Sequence, residues 1–208
     1  MFSPVMVRHA TPEATRRKIL EVAAERIHQV GFQATSVGDI LAATGLSKGA
    51  LYHHFATKTE IGYAVIEEHY ADLNRRNWAP VLEADDVFRT LIPFLAGFHQ
   101  QICDETLCNG CPVNNLGQEM SGLDEGFRQR LQQVTTRWRE GLAAGLRRSQ
   151  QSGSMSAEAD AEGIAALVVA AFQGAVALAK NAQDRQVFVD SMASLIDYLK
   201  QLEVPSSH

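Results

Sequence analysis

One short stretch near the middle of the chain holds the residues with the most evident chemistry, one histidine and all three cysteines: His99, Cys103, Cys108 and Cys111. An odd number of cysteines, in a chain without an evident export signal, argues against a disulfide framework. The thiols are therefore expected to sense a signal, to bind a metal or to fill space in the interior.

Each of these alternatives has a physical basis. As a sensor, Cys111 would lie at the start of a predicted helix, where the helix dipole and free N–H groups favour the thiolate. The thiolate would be alkylated by an electrophile or oxidised, in the second case to a disulfide with Cys108 or Cys103. As a zinc site, the histidine and the three cysteines would supply four donors, although the usual paired spacing is incomplete. As structural residues, the cysteines would be small buried side chains.

A second group of polar residues follows a glycine-centred turn nearer the N-terminus. Beyond Gly45, a short predicted helix carries a cation, hydroxyl and imidazole donors, and a glycine that allows close backbone approach. These groups suit the phosphates and base edges of DNA. They belong to Ser47, Lys48, Gly49, Tyr52, His53 and His54. Lys58, at the start of the next helix, adds a charge and free N–H groups that can bind a phosphate.

Two short helices must position this group. Ser36 and Asp39 have the spacing of a capping box and predict the start of the first helix, while Ser47 caps the second. The apolar residues between them would form a small core: Val37, Ile40, Leu41, Leu46, Leu51 and Phe55. Such a turn is often only a packing device, but here the polar residues fall on the face that this core does not use. The pattern therefore predicts a helix-turn-helix whose second helix enters the major groove.

Further residues complete a recognisable pattern between positions 13 and 60. They are Thr15-Arg16, Ile19-Leu20, Ala23-Ala24, Gly31-Phe32, Thr35-Ser36-Val37, Ile40, Gly45-Leu46-Ser47-Lys48-Gly49, Leu51-Tyr52, His54-Phe55 and Lys58. This pattern resembles the DNA-binding signature of the TetR family of repressors. The resemblance implies that operator DNA is faced by Thr35, Ser36, Ser47, Lys48, Gly49, Tyr52, His53, His54 and Lys58. Leu41 and Thr44 depart from alanines that are usual in the family.

Helical periodicity runs through the rest of the chain, and no strand pattern longer than a few residues is found. We expect an all-α protein of about nine helices, at roughly 12–31, 37–43, 48–54, 58–78, 86–103, 112–121, 124–151, 158–181 and 184–202. A helix-turn-helix domain would occupy residues 1–57, and an all-helical regulatory and dimerisation domain residues 58–208. The first domain is too small for a private core and is expected to pack on the fourth helix.

Two of the late helices carry the prediction of a homodimer. The helix at 158–181 is apolar nearly all round and rich in glycine and alanine, which lets another helix approach closely. The helix at 124–151 is amphipathic. The resemblance implies that two such helices from each subunit form a four-helix interface, and a two-fold protein matches a palindromic operator.

The regulatory domain is also expected to bind an effector of unknown identity. Aromatic side chains would wall a cavity, and a few polar groups after the turn at Pro112 would orient the ligand. The candidate ligand or sensor residues are Cys111, Cys108, Cys103, Tyr70, Phe98, Asn114, Gln118, Trp138 and Phe172. Gly110-Cys111, together with residues 61–70, also resembles the branch of the family that includes electrophile-responsive NemR-type regulators.

Composition narrows the function further. The 208 residues have a net charge of −5, but residues 1–60 hold seven basic and five acidic residues. The N-terminal segment is therefore mildly basic, and the rest of the chain is acidic. No uninterrupted apolar run reaches the roughly 18 residues of a membrane span. We therefore expect a cytoplasmic repressor that needs no cofactor and is released by a ligand or by cysteine modification. The alternatives are a Cys-x-x-Cys redox enzyme, for which no βαβ pattern is present, and a zinc-binding helical adaptor.

Overall fold

The computed structural model describes residues 11–101 and 109–204, with the backbone alone for residues 99–101. Nine helices have both ends within these ranges. They are α1 (Pro12–Val30), α2 (Val37–Thr44), α3 (Lys48–His54), α4 (the consecutive segments Lys58–Ala64, Val65–Tyr70 and Ala71–Leu82), α5 (Val87–Gln101), α6 (Pro112–Met120), α7 (Glu125–Gln151), α8 (Ala161–Ala182) and α9 (Arg185–Lys200). Apart from an isolated β-bridge between Met155 and Glu203, the described residues form helices, turns and irregular segments. The all-α expectation is confirmed.

The starts of the first helices follow from capping chemistry that is visible in the sequence. Thr11 caps α1 with a hydroxyl that accepts from the backbone N–H three residues on, and Pro12 takes the first position, where no N–H is needed. Ser36 and Asp39 form the predicted capping box at α2. Gly45 ends α2 with φ +70°, a backbone conformation that glycine adopts without a steric penalty. Local chemistry therefore fixes the helix-turn-helix boundaries.

The fourth helix departs from the sequence expectation in two ways. It continues through Pro80 instead of ending near Trp78, because Trp78 and Val81 are buried and hold the last turn against the core. Its middle segment, Val65–Tyr70, is π-helical. Such segments are rare and often lie at functional sites, and hydrophobic periodicity does not reveal them. This segment contacts both α1 and α7, so it lies where the N-terminal helices meet the rest of the protein.

Two buried clusters hold the helices together. One joins the second half of α4 to α5, α7, α8 and α9 and includes Trp78 and Trp138. The other joins α1 to α4 with α6 and the first half of α7, and brings Leu51 of α3 into one core with Leu116 and Phe127. The N-terminal module therefore shares its core with later helices, as its small size implies. A domain boundary after residue 57 stays a prediction, since the packing is continuous across it.

By length and composition alone α8 would be able to cross a membrane. It packs between α7 and α9, however, and 44% of its most apolar window is buried inside the protein. Contacts on two sides are typical of a helix packed within a helical protein.

Candidate DNA-binding face and effector cavity

Helix α3 turns one face into the core and the other toward solvent. Leu51 is fully buried and anchors the helix. The structure brings most of the predicted DNA-contacting residues onto the outer face: Ser47, Lys48, Gly49, Tyr52 and His53 are exposed, and His54 is half-buried. The short helix thus presents a compact polar surface.

The side chains on this face form few interactions with the other described residues of the chain. The Lys48 ammonium lies 5.8 Å from the centroid of the Tyr52 ring and forms no salt bridge with any residue that the structure describes. Tyr52 is 41% exposed. The His53 and His54 rings pack edge to face, 5.4 Å apart. The cation, the phenol and the imidazoles are therefore available to a partner.

Gly49 has no structural reason to be glycine. A Cβ built on it would meet no atom within 4 Å, and its φ is not in the positive range. Glycine within a helix is less favourable than alanine by up to about 1 kcal/mol. The missing side chain leaves open space beside the exposed face of α3.

Two predicted DNA-facing residues, Thr35 and Ser36, form hydrogen bonds that stabilise the fold. Thr35 is only 1% exposed, and its hydroxyl donates to the Gly31 carbonyl (2.7 Å). Its side chain therefore does not face DNA, and the expectation for this residue was wrong. Ser36 is exposed, but its hydroxyl donates a hydrogen bond to the Asp39 carboxylate at the start of α2 (2.7 Å). This hydrogen bond lowers the pKa of Asp39.

Lys58 also has partners inside the chain. Its ammonium donates to the Gln33 carbonyl (3.2 Å) and lies 4.5 Å from the centroid of the Phe32 ring. The free N–H groups expected at the start of α4 are partly satisfied, because the Thr57 hydroxyl accepts from the backbone N–H of Glu60 (3.1 Å). The Glu60 carboxylate accepts from the backbone N–H of the residue before Thr57, outside the helix (2.8 Å). A phosphate contact by Lys58 would compete with these interactions.

A cavity of about 120 Å³ lies between α4, α5, the turn before α6, α7 and α8. Five of the residues predicted to hold an effector line it: Tyr70, Phe98, Cys111, Trp138 and Phe172. The rest of the described wall is Leu73, Asn74, Asn77, Trp78, Gly110, Pro112, Val113 and Val176. Asn114 and Gln118 are not among these residues; they line a separate open polar groove with Arg128 and Arg139. The four predicted aromatic residues and Cys111 therefore line the cavity, whereas the predicted polar residues Asn114 and Gln118 do not.

Cys111 occupies the N-cap position of α6, without a capping hydrogen bond from its side chain to a described residue, and is half-buried in the cavity wall. Burial raises the pKa of its thiol above the ordinary value, although the backbone N–H groups of Asn114 and Val113 act in the opposite direction. The expectation that the helix N-terminus would lower this pKa was therefore wrong, because desolvation of the thiolate outweighs the helix-end effect. Cys103 and Cys108 lie outside the described residues, as does the His99 side chain, so the disulfide and zinc alternatives stay predictions.

Three side chains form hydrogen bonds between the cavity side and α1 or the turn after it. The Tyr70 hydroxyl donates to the Ala24 carbonyl (3.0 Å), and burial raises the pKa of this phenol. His28 Nε2 lies 2.8 Å from the carbonyl oxygen of Gly110, the residue before Cys111. The third contact is made by Glu119. Together they join the cavity wall to the N-terminal module.

Glu119 is a functional candidate that sequence reasoning missed. Its two carboxylate oxygens accept from the backbone N–H groups of Phe32 and Gln33, each at 2.8 Å. The turn is tight: a Cβ on Gly31, whose φ is +88°, would lie 2.9 Å from Glu119 Oε2. No local signal marks this residue, because its partners are more than 80 positions away in the sequence and are backbone groups.

Comparison with known proteins covers both halves of the chain. A family model described as "Bacterial regulatory proteins, tetR family" matches residues 19–65, and one described as "Tetracyclin repressor-like, C-terminal domain" matches residues 88–195. An uncharacterised HTH-type transcriptional regulator from Lactococcus lactis is 31% identical over 187 residues, 89% of this chain and 91% of that protein.

Two further comparisons bear on fold and branch. The crystal structure of a TetR transcriptional regulator from Chloroflexus aurantiacus has a TM-score of 0.81 and 28% identity, covering 92% of this chain and 97% of the other. The HTH-type transcriptional repressor NemR of Escherichia coli is 29% identical over 121 residues, 57% of this chain and 60% of that protein. The likeness to NemR is therefore partial.

Proposed function

Because this chain belongs to the TetR family of bacterial regulatory proteins, it is a DNA-binding transcriptional regulator, and we propose that it is a homodimeric repressor released when a small molecule enters the cavity beside Cys111. The family consists of DNA-binding regulators and not of enzymes. The observation that carries the proposal is the exposed polar face of α3, where a lysine without a salt bridge to any described residue lies beside an exposed tyrosine. We place its site of action in the cytoplasm.

The exposed residues of α3 divide by chemistry into two sets of contacts. Lys48 and Tyr52 supply a cation and a phenol for phosphates, which fix position but carry no sequence information. His53 and Ser47 supply short-range donors and acceptors for base edges in the major groove. Gly49 lets the backbone of α3 approach the DNA. Thr35 is left out of this set, and Lys58 contributes only if it leaves Gln33.

The dimer is supported best on the outer face of α8. Leu167 and Leu178 are 44% and 56% exposed on this face, and the small residues Ala170 and Gly174 lie exposed between them. Exposed leucines aligned at helical spacing are unfavourable in water and typical of a protein interface. The outer face of α7 is polar, with Gln129, Gln133, Arg137 and Glu140. Of the two helices predicted to form the interface, α8 therefore has the stronger support.

Signal transfer from the cavity to DNA would use the contacts that end on α1 and its following turn. Tyr70 lines the cavity and binds the Ala24 carbonyl, and Gly110 binds His28. A ligand that displaces either wall segment moves α1, and Glu119 carries the shift to the turn before α2. The equilibrium then favours a spacing of the two α3 helices that no longer matches the operator.

DNA binding by variants tests this function. Labelled fragments of the DNA flanking the gene are titrated with wild-type protein, Lys48→Ala, Tyr52→Ala and the control Lys200→Ala, which removes an exposed lysine at the end of α9. We expect specific binding that each α3 variant weakens about tenfold or more and that Lys200→Ala leaves unchanged. Equal binding by all four proteins, at every fragment, would exclude α3 as the DNA-reading element.

A further inference from the structure

We infer that Arg16 of α1 positions α3 for DNA binding, because it joins Phe55, at the end of α3, to Glu68 in the π-helical segment of α4. This inference rests on the proposed function, since it takes α3 as the element that reads DNA. It adds a positioning residue that acts through Phe55 and does not itself contact DNA.

Two buried side chains anchor α3 to the core. Leu51 and Phe55 are 0% and 3% exposed and lie one helical turn apart, whereas most of the helix faces solvent. A helix that is held at two points on one face can still tilt, so the groups around each anchor decide its orientation. The contacts of Phe55 therefore bear on the angle at which α3 meets DNA.

Arg16 lies against the second of these anchors. Its guanidinium carbon is 4.6 Å from the centroid of the Phe55 ring, and its Nη1 donates to the Glu68 carboxylate at 2.6 Å. A planar guanidinium that stacks on a ring and donates a short charge-assisted hydrogen bond fixes the geometry of both groups. One side chain of α1 thus connects the end of α3 to α4.

The charge of Arg16 is already paired within the chain. Its side chain is 35% exposed, compared with 76% for the neighbouring Arg17, and a phosphate would have to displace the Glu68 carboxylate. Lys18 of the same helix has a similar contact, since its ammonium donates to the Thr44 carbonyl at the end of α2 (2.8 Å). Arg16 and Lys18 therefore hold the ends of the two short helices.

The carboxylate that binds Arg16 lies on the segment that also lines the cavity. Glu68 and Tyr70 both belong to the π-helical segment, and Tyr70 is part of the cavity wall. Such segments are rare and often lie at functional sites. A shift of this segment would reach α3 through Glu68 and Arg16.

Glu68→Gln tests the inference, because two roles of Arg16 predict opposite effects of this change. If Arg16 contacted a phosphate, removal of the nearby carboxylate would leave DNA binding unchanged or strengthen it. If Arg16 positions α3, the same change should weaken binding about fivefold, since an exposed ion pair is lost in both subunits of the dimer. The affinity is measured with a labelled fragment of the DNA flanking the gene.

Glu67→Gln is the matched control. Glu67 and Glu68 are neighbours on one segment and are 50% and 49% exposed, but Glu67 pairs with Arg130 of α7 (2.9 Å). Its substitution should leave the affinity for DNA unchanged. Equal weakening by both substitutions, no weakening by Glu68→Gln, or lower thermal stability of Glu68→Gln with unchanged affinity overturns the inference.

Two further variants separate positioning from direct contact and from the proposed function. Arg16→Gln should weaken binding as much as Glu68→Gln and keep the salt slope of wild-type protein, whereas loss of one phosphate contact per subunit would reduce the slope by about 2. If Arg16→Gln does not fold, the comparison of Glu68→Gln with Glu67→Gln still decides. Lys48→Ala is measured in parallel: if it does not weaken binding, the proposed function fails and the inference with it. If Lys48→Ala weakens binding and Glu68→Gln does not, only the inference fails.

Discussion

Gly49 is a position where the role of α3 in the fold can be distinguished from its proposed role in DNA binding. Most residues of a recognition helix serve both, so that their substitution changes stability and affinity together. Gly49 is exposed, lies in the first turn of the helix and has open space where a side chain would be. Its substitution therefore has opposite expected effects on the two properties.

We predict that Gly49→Ala leaves the free energy of unfolding unchanged or raises it by up to about 1 kcal/mol, because alanine favours the helix. The same change should lower operator affinity about tenfold, since the added methyl group meets the DNA. Thermal denaturation and DNA titration of one preparation measure both. A stable variant with wild-type affinity would mean that the α3 backbone does not approach DNA at this position.

Cys111 gives a second prediction at this scale, based on pH. Burial raises the pKa of its thiol, and only the thiolate reacts with alkylating reagents. Modification of Cys111 by iodoacetamide should therefore be slow at pH 7 and accelerate with each step in pH up to and beyond 9, the ordinary value. Peptide mass spectrometry resolves Cys111 from the other two cysteines. Fast, pH-independent labelling of Cys111 at pH 7 would show a reactive thiolate and favour covalent sensing over ligand binding.

At the scale of elements, α6 is the part of the fold that joins the cavity to the DNA-binding module. Its first turn follows Cys111 in the cavity wall, and Glu119 near its other end holds the turn between α1 and α2. The sequence predicts this helix from Pro112 and its turn residues, but not its role. Its partners are backbone groups far away in the sequence, so no local pattern carries the information. The π-helical segment of α4 was also missed, because hydrophobic periodicity does not distinguish it from the α-helix on either side.

We predict that Glu119→Gln loosens this connection without unfolding the protein. Glutamine keeps one acceptor oxygen, so one of the two backbone hydrogen bonds is lost, at a cost of about 1–2 kcal/mol. Exchange of one of the two amide hydrogens, that of Phe32 or that of Gln33, should accelerate about tenfold. Gln118→Ala, an exposed neighbour on the same helix, is the control and should leave both amides protected. Unchanged exchange in Glu119→Gln would remove Glu119 from the proposed path.

At the scale of the whole molecule, the exposed leucines of α8 mark the surface that we propose a second subunit covers. The sequence predicted an apolar helix here, and the structure adds which side is turned outward. It also separates α8 from α7, whose buried residues Leu131, Val134 and Trp138 account for the amphipathic pattern that suggested an interface. Periodicity reveals that a helix has an apolar face, but not whether that face meets its own chain or a second copy.

We predict that Leu178→Arg weakens the dimer at least about a hundredfold, because each subunit loses a buried leucine and gains a charge at the interface. Sedimentation at micromolar concentration should then show monomers, with weaker operator binding. Leu123→Arg is the matched control: Leu123 is 65% exposed in the turn between α6 and α7, and its substitution should leave the dimer intact. A dimeric Leu178→Arg protein would place the interface elsewhere.

The salt dependence of operator affinity tests the central claim most directly. Each phosphate neutralised by the protein contributes about −0.9 to the slope of log affinity against log salt concentration. If Lys48 contacts one phosphate in each subunit of a dimer, wild-type protein should show a steep slope, and Lys48→Ala should reduce its magnitude by about 2. A flat slope for wild-type protein, or an unchanged slope for Lys48→Ala, would contradict the assignment of α3 as the element that grips operator DNA.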